Sequence, residues 1–403
     1  MLLMSQILNM NNVRNKPIIL TFIGNYLPGY KQGGILRTIV NTVDYLCDDF
    51  EFKVVTRDRD FGDDEPYADI KFNQWQQVGS AMVYYLRPQL STVKGILNLI
   101  TKTPYHILYL NSFFDLFTIK VLLIRKVSWI KSSSVIVAPR GEFARGSLSL
   151  KYLKKIAYIQ IARLFGIYNK VTWQASSEFE ARDIIKVMKI KPNDVRIARD
   201  LPVKITMRES SSISSKSVSD YKGLKLIFLS RIAREKNLDY ALKVLSKVTS
   251  RVVFDIYGPI EDTVYWKECQ ALIDRLPVNT KVNYLGCVSP NEVVNVFSHY
   301  DLFLFPTAGE NYGHVIAESL MAGTPVLISD KTSWRDLETD GLGWSIDLAQ
   351  RDYFVEIIER LALLSDDLRL GKREEVKAKI MERLLDPAVL EANRQLFKEQ
   401  LLR

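Results

Sequence analysis

Residues 301–326, DLFLFPTAGENYGHVIAESLMAGTPV, decide the fold class of this chain. The apolar run Leu302–Phe305 is typical of a buried parallel strand, and helical spacing of apolar residues begins after a loop, near Gly313. Gly323 and Pro325 then end the helix before a second apolar strand. A strand, a glycine-containing turn and a helix N-terminus form an anion site, because unpaired amide groups point out of the first turn of the helix. The segment therefore predicts a phosphate-binding unit of an α/β fold.

Two glutamates frame the predicted anion site. Glu310 lies in the loop and Glu318 in the helix, with seven residues between them. Carboxylates would repel a phosphate, so we expect them to accept hydrogen bonds from sugar hydroxyls instead. One carboxylate at the loop and one about a turn and a half into the helix could hold two different sugars of one ligand. The alternative is that Glu310 is a solvated loop residue and Glu318 a surface charge.

The alternation of strands and helices continues along the chain and predicts parallel, doubly wound sheets. The ligand-facing edges of such sheets are the carboxyl ends of the strands. A length of 403 residues suits two domains. We predict a first Rossmann-like domain over residues 1–206, a serine-rich linker over 207–222 and a second Rossmann-like domain over 223–385. The predicted strands are 18–23, 52–55, 82–86, 107–110, 135–138, 171–174, 224–230, 252–257, 282–285, 302–305 and 326–329.

The composition indicates a globular protein in a reducing compartment. Apolar residues make up 47% of the chain, which is ordinary for a soluble fold. Three scattered cysteines (Cys47, Cys269 and Cys287) lack metal-ligand spacing, so we expect neither disulfides nor a metal site. The N-terminal segment has no basic region, and no apolar run reaches the ~18 residues of a membrane span. We therefore predict a cytoplasmic protein without a signal peptide.

Positive charge is concentrated in the first half. Residues 1–204 carry 29 Lys and Arg against 17 Asp and Glu, whereas the remainder carries 26 against 29, so net charges of +12 and −3 give the total of +9. Residues 120–170 carry eleven Lys and Arg against one acid, Glu142. This segment is either a solvated basic helix or a contact with an anionic membrane surface, with Tyr152 and Tyr158 as interfacial anchors. Nucleic acid is disfavoured because no stacking or helix-turn-helix pattern accompanies the charge.

Two loops of the first half follow predicted strands and so reach the ligand-facing edge of its sheet. Gly33 and Gly34 lie in the first loop and allow the backbone to approach a ligand closely, although a flexible connection would also use glycine. Arg140 and Glu142 lie in the other loop, after the strand 135–138. An arginine at this position suits a phosphate-bearing acceptor.

Two cations of the second half follow its first predicted strand. Arg231 lies at the carboxyl end of that strand and Lys236 just before the next helix, so both can reach one point above the sheet. Two cations facing a helix N-terminus would form a diphosphate pocket, whereas the pair in isolation could also be an exposed charged loop. Gly258 ends the next strand, where a phosphate could approach the backbone closely.

The run ENYGHVIAESLMAGTPV resembles the Glu–seven residues–Glu signature of retaining glycosyltransferases of family four, which have the GT-B fold. The resemblance covers most of the chain, and Arg231 and Lys236 match the family's Arg and Lys, with four residues between them, that bind the donor diphosphate. It implies that Glu310 orients the donor sugar and that Glu318 binds the ribose. It also implies that a last helix, residues 386–403, packs back on the first domain.

The resemblance implies further site residues. The glycine loop of the first domain would face the donor, and backbone atoms of the second domain would contact the nucleobase. Arg140 departs from the histidine that the family often has there. The implied donor-binding residues are Gly33, Gly34, Gly258, Cys287, Val288, Asn311, Tyr312, Gly313, His314, Val315 and Glu318. The implied catalytic residues are Arg231, Lys236 and Glu310, with Arg140 and Glu142 as acceptor ligands and no metal.

The function that the resemblance implies is metal-independent, retaining transfer of a hexose-type sugar. The donor would be a UDP- or GDP-linked sugar, used as a substrate with no further cofactor. The acceptor would be a hydroxyl of a glycan or lipid-linked molecule in cell-surface polysaccharide assembly. The enzyme would be cytoplasmic or peripheral on the inner face of the membrane. Two alternatives stay open, namely a catalytically silent nucleotide-sugar-binding protein and a GT-B epimerase.

Overall fold

Two sheets, one in each half of the chain, organise the protein. The computed structural model describes residues 16–31, 33–127, 130, 134–149, 151–204, 223–384 and 386–402. The strands of the first sheet are β1 (Ile18–Phe22), β2 (Glu51–Arg57), β3 (Trp75–Val78), β4 (Ala81–Leu86), β5 (Ile107–Asn111), β6 (Ser134–Ala138), β7 (Thr172–Ala175) and β8 (Val195–Ile197). Those of the second are β9 (Leu224–Leu229), β10 (Val252–Tyr257), β11 (Thr280–Tyr284), β12 (Leu302–Phe305), β13 (Val326–Ser329) and β14 (Gly343–Ile346).

Helices cover both sheets. In the first half they are α1 (Gly34–Leu46), α2 (Val93–Lys102), α3 (Leu116–Lys126), α4 (Arg145–Ser149), α5 (Tyr152–Leu164) and α6 (Glu178–Met188). In the second half they are α7 (Leu238–Leu245), α8 (Thr263–Ile273), α9 (Val293–Phe297), α10 (His314–Met321), α11 (Arg351–Ala362), α12 (Asp366–Leu384) and α13 (Pro387–Leu401). None of the helices in the described ranges has the length and apolar character needed to cross a bilayer.

The predicted α/β class with doubly wound parallel sheets is confirmed. The strand orders are β3-β4-β2-β1-β5-β6-β7-β8 and β11-β10-β9-β12-β13-β14, and β3–β4 is the antiparallel pair among otherwise parallel neighbours. Three strands were not predicted. β3 contains two glutamines, β8 has three residues and β14 begins with a glycine, so none has the apolar run of a buried parallel strand.

The order of the strands fixes where a ligand can bind. In the first sheet the chain runs outward from β1 to β2 and β4, then returns to the opposite side of β1 as β5. In the second sheet it runs from β9 to β10 and β11, then returns beside β9 as β12. Ligands of open parallel sheets bind beyond the carboxyl ends of the strands at such a switch point. The candidate site is therefore expected beyond the carboxyl ends of β1 and β5 in the first sheet and of β9 and β12 in the second.

The helices of the first domain lie in two layers. Side chains of α2, α3, α5 and α6 form one buried cluster on one face of the sheet. Side chains of α1 and α13 form a second cluster on the other face. The last helix thus packs on the first sheet, where Phe397 contacts the rings of Phe52 and Tyr109 edge-on, and Arg394 pairs with Asp49 at 2.8 Å.

Two predicted segments lie outside the described residues. They are the linker, residues 207–222, and the N-terminal residues 1–15. The prediction that the N-terminal residues are not a signal peptide therefore stays a prediction. The domain boundaries around them stay predictions.

Candidate active site

A cleft of about 990 Å³ separates the carboxyl edges of the two sheets. All sixteen residues that the sequence assigns to donor binding, acceptor binding or catalysis line this cleft. They come from the loops after β1, β6, β9, β10, β11 and β12 and from the first turns of α10. The folded chain therefore brings together residues that are up to 285 positions apart, from Gly33 to Glu318.

The turn before α10 has the geometry that its glycine requires. Gly313 has a φ of 73°, a left-handed conformation that side chains rarely adopt, and a Cβ atom there would lie 2.8 Å from Ile316 Cδ1. The first amides of α10 have no partners within the helix, and the helix dipole adds positive potential at this end. An anion above the carboxyl end of β12 is thus favoured.

The two predicted diphosphate ligands are positioned by the turn that follows β9. Lys236 is 8% exposed, and its Nζ donates a hydrogen bond of 2.7 Å to Glu310 Oε2. Arg231 donates to Glu235 at 3.2 Å and also to Glu261. Both cations therefore face carboxylates in this structure, and a diphosphate entering the cleft would replace these carboxylates as their partner. Glu310 is an ion-paired residue of the cleft, so its interpretation as a solvated loop residue is wrong.

Glu318 is also buried and paired. It is 6% exposed, and its carboxylate lies 3.2 Å from Arg37 Nη2 of α1. Burial raises the pKa of Glu318, and Arg37 partly offsets this effect. The interpretation of Glu318 as a surface charge is wrong. Because Arg37 also donates to the Pro290 carbonyl at 3.1 Å, this arginine joins the first domain to two elements of the second.

A buried hydrogen-bond chain crosses the cleft beside Glu318. Thr38 Oγ1 donates to Asp200 Oδ2 at 2.9 Å and lies 2.8 Å from His314 Nε2. A hydroxyl has one proton to donate, so the imidazole must carry its proton on Nε2 and donate it to Thr38. Burial, together with the nearby charge of Arg37, lowers the pKa of His314 to about 3. The imidazole is therefore neutral where the two domains meet.

Arg140 lies at the first-domain end of this chain. Its side chain is 3% exposed and pairs with Asp200 at 2.8 Å. It also donates to Asn111 Oδ1 at 2.8 Å and to the Tyr109 hydroxyl. Arg140 thus lines the cleft, as predicted. Its guanidinium group, however, is occupied by these partners, so Arg140 stabilises the first-domain wall. Direct binding of an acceptor by Arg140 stays a prediction.

Glu142 forms the floor of the cleft near α5. Its carboxylate accepts hydrogen bonds from Ser112 Oγ at 2.7 Å, from the Phe114 amide at 3.2 Å and from the Phe113 amide. Burial raises the pKa of Glu142 to about 7, although these three donors and Lys155 act in the opposite direction. The carboxyl therefore changes charge near neutral pH. Its contact with an acceptor stays a prediction.

The base-binding edge predicted at Cys287 and Val288 lies next to Gly258. The Gly258 amide donates to the Gly286 carbonyl at 2.7 Å, which joins the loops after β10 and β11. A Cβ atom on Gly258 would lie 1.9 Å from the Ser230 carbonyl oxygen, so the backbone of this loop packs directly against the end of β9. The thiol of Cys287 is free.

The sequence did not reveal the residues that join the two walls. Thr38 is 276 positions from His314, its hydrogen-bond partner. Ser176, which donates to Asn311 at 2.9 Å, is 135 positions from it. The one signal for Arg37 and Thr38 is their place on α1 directly after the predicted glycine loop. No group of His, Cys, Asp and Glu within the described ranges has metal-ligand geometry.

The comparisons with known proteins fit this geometry. Residues 210–379 match the family model "Glycosyl transferases group 1". Over these residues the chain is therefore similar to group 1 glycosyltransferases. The solved structure of HepE from Anabaena in complex with UDP-glucose has a TM-score of 0.68 and 17% identity, and the match covers 95% of this chain and 98% of that one. The chain therefore has the GT-B fold.

Two curated relatives have similar sequences. An "uncharacterized 41.2 kDa protein in cps region" of Klebsiella pneumoniae is 25% identical over 278 residues, 67% of this chain and 74% of that protein. The alpha-monoglucosyldiacylglycerol synthase of Streptococcus pneumoniae is 24% identical over 194 residues, 46% of this chain and 43% of the synthase. The match to the synthase thus spans less than half of either protein.

Proposed function

We propose that this group 1 glycosyltransferase is a retaining, metal-independent enzyme of family four that transfers a hexose-type sugar from a UDP- or GDP-linked donor. The observation that carries the proposal is the placement of Arg231 and Lys236 beside the N-terminus of α10, at the switch point of the second sheet. Two cations and a helix N-terminus are complementary to a diphosphate. HepE, a protein with the same fold, binds UDP-glucose.

The donor would lie along the second-domain wall. Its diphosphate would take the place of Glu310 at Lys236 and of Glu235 and Glu261 at Arg231. The freed Glu310 carboxylate would then accept hydrogen bonds from the donor sugar, and Glu318 would accept them from the ribose diol. The backbone at Cys287 and Val288 would contact the nucleobase.

The reaction would break the bond between the anomeric carbon and the oxygen of the diphosphate. The acceptor oxygen forms the new bond to the same face of that carbon, and its proton passes to the departing diphosphate. Negative charge collects on the diphosphate as the bond breaks, so Arg231, Lys236 and the first amides of α10 stabilise the transition state. Two fixed cations supply the charge that a divalent metal would otherwise supply, and this supports the proposal of metal independence.

The acceptor would enter from the first-domain side, near Glu142. We propose a hydroxyl of a glycan or of a lipid-linked molecule, and a role in the assembly of cell-surface polysaccharide at the inner face of the membrane. The relative from the cps region and the relative that is a diacylglycerol glycolipid synthase are compatible with both kinds of acceptor.

A turnover assay tests this proposal. The protein is incubated with UDP- and GDP-sugars and candidate acceptors, and released nucleoside diphosphate is measured with and without excess EDTA. We expect release that depends on both donor and acceptor, survives EDTA and gives a product with the anomeric configuration of the donor by NMR. A product of inverted configuration, or activity restored only by Mg²⁺ or Mn²⁺, would contradict the mechanism. Donor binding without turnover would indicate a silent binding protein, and acceptor-independent conversion of the sugar would indicate an epimerase.

A further inference from the structure

The outer surface of α5 exposes several large apolar side chains, and none of the described residues covers them. Leu153 is 80% exposed, Ile161 51% and Leu164 81%, and Phe165, directly after the helix, is 62% exposed. Spacings of eight and eleven residues place Leu153, Ile161 and Leu164 on one face of the helix. The opposite face is buried through Ile159 and Ala162. A helix with a packed inner face needs no leucines on its outer face for folding.

A second apolar stripe lies on α3. Leu116, Leu123 and Val127 are exposed, and the last two follow Leu116 by seven and eleven positions, so the three share one helix face. Both helices bury their inner sides in the same cluster against the same face of the sheet. Their outer stripes therefore belong to the same side of the domain.

The ends of α3 and α5 are joined directly. Arg125, in the last turn of α3, donates to the carbonyls of Asn169 at 2.8 Å and Lys170 at 3.2 Å, in the turn that follows α5. We call the exposed apolar residues of α3 and α5, together with Phe165, the docking face.

Exposed lysines of residues 120–170 accompany the docking face. Lys126, Lys151, Lys154 and Lys170 are exposed. The single acid of residues 120–170, Glu142, is held by three hydrogen bonds in the cleft, so its carboxylate does not neutralise them. An apolar surface rimmed by cations is complementary to a layer that has hydrocarbon inside and negative charge outside.

The second domain offers an instructive contrast. Leu363, Leu368 and Leu370 are also exposed, but Asp366 and Asp367 lie among them. Exposure of leucines alone therefore does not distinguish the docking face. The distinction is the combination of two apolar stripes with exposed lysines in a segment, residues 120–170, whose single acid is Glu142.

We propose that the docking face binds the surface of an anionic phospholipid bilayer, with its leucines and Phe165 in the interfacial layer and its lysines at the lipid phosphates. A second copy of the chain fits less well, because a symmetric contact through this face would bring like charges together. Tyr152, one of the two predicted interfacial anchors, is exposed and flanks the face. Tyr158 is not an anchor, because its hydroxyl oxygen lies 2.9 Å from that of Tyr168 and its ring packs edge-on against the ring of Phe113.

The docking face lies beside the acceptor side of the cleft. Lys155 belongs to α5 and lines the cleft together with Glu142 and Ser147. Its Nζ donates to the Ser147 carbonyl of α4, which joins α5 to the short helix that follows β6. A lipid-linked acceptor could thus reach the cleft from the bilayer that the same helix contacts. This last consequence rests on the proposed glycosyltransferase function, whereas membrane binding itself does not.

Vesicle co-sedimentation of the full chain, without donor, tests the proposal. Vesicles of phosphatidylglycerol mixed with phosphatidylcholine are compared with vesicles of phosphatidylcholine alone. We expect binding to the anionic vesicles at low salt, weaker binding at high salt because the attraction acts across solvent, and little binding to the neutral vesicles.

Three variants locate the contact. Leu153→Ser with Leu164→Ser and Phe165→Ser removes apolar contacts, and Lys151→Glu with Lys154→Glu reverses charge. Each set should weaken binding by about tenfold or more. The matched control, Leu363→Ser with Leu368→Ser and Leu370→Ser, should bind like the unchanged chain. Thermal unfolding of all variants verifies that they are folded.

Three results would overturn the proposal. They are no binding to anionic vesicles at low salt, equal binding by both docking-face variants and the unchanged chain, and a dimer that the docking-face substitutions convert to a monomer. The last result would mean that a second copy covers the face. Because the assay contains no donor, a failure of vesicle binding leaves glycosyl transfer standing, and a failure of transfer leaves vesicle binding standing.

Discussion

The two walls of the cleft are built in different ways. The charged residues predicted for the second-domain wall come from two short segments, 231–236 and 310–318, that follow neighbouring strands. The first-domain wall is a buried polar network whose members, such as Thr38, Arg140 and Asp200, come from distant parts of the chain. The cations of the second wall, Arg231 and Lys236, pair with carboxylates that a ligand could replace, whereas the charges of the first wall pair with one another inside a buried network. The comparison suggests that the second wall performs the chemistry and the first provides a rigid surface against it.

Asp200→Ala should have the largest effect, on stability. It would leave the buried guanidinium of Arg140 without its carboxylate, which costs about 3–5 kcal/mol for a buried pair. The free energy of unfolding is measured by urea denaturation. The control is Asp49→Ala, which breaks the more exposed pair with Arg394 and should cost about 1 kcal/mol or less. Equal losses in the two variants would contradict the assignment of a structural role to the first wall.

Substitution of the second-wall cations should instead lower turnover. Lys236→Ala and Arg231→Ala should each reduce it about 10²- to 10³-fold, the scale for one lost transition-state donor. Arg231 is about one-third exposed, so its removal should change unfolding by about 1 kcal/mol or less. Arg234→Ala is the matched control, because Arg234 pairs with Glu268 outside the cleft lining. Near-normal turnover of Lys236→Ala would show that Lys236 does not stabilise the transition state.

Glu318→Gln tests the proposed contact between the second wall and the ribose. A hydrogen bond to a charged group contributes about 1.5–3 kcal/mol, so donor binding should weaken roughly 10- to 100-fold. The variant should remain as stable as the unchanged chain or more so, because it removes a buried charge whose pKa is raised by burial. Titration calorimetry with a nucleoside diphosphate compares the two proteins. Unchanged affinity would show that Glu318 serves Arg37 alone.

The burial of His314 between the two walls should make the stability of the protein depend on pH. Its folded pKa of about 3 lies below its ordinary value of 6.5. As the pH falls below 6.5, His314 becomes protonated in the unfolded chain but stays neutral in the folded chain. The free energy of unfolding therefore decreases. The loss is about 2 kcal/mol at a pH of about 5. His314→Gln keeps a donor for Thr38 and should flatten the pH dependence of unfolding by this amount. The same acid sensitivity in the variant would assign it to other groups.

The sequence predicted the second wall well because its chemistry is local. Each strand with a continuous apolar run was found, and so were the charged loops at the strand ends. The first wall was predicted only in part. Arg140 was placed in the cleft, but its partners Asn111 and Asp200 lie 29 and 60 positions away, and no local pattern links them. Strand β3 was missed because its polar sequence fits an antiparallel edge rather than a buried strand.

The central claim is that the second wall binds a nucleoside diphosphate through Lys236. The most direct measurement is the shift in unfolding temperature that UDP and GDP produce in the unchanged chain, in Lys236→Ala and in Arg234→Ala. The account predicts that one of the nucleotides stabilises the unchanged chain and Arg234→Ala equally, and Lys236→Ala much less, because ligand binding to the folded state raises its stability. Equal stabilisation of all three proteins, or none of the unchanged chain by either nucleotide, would contradict it.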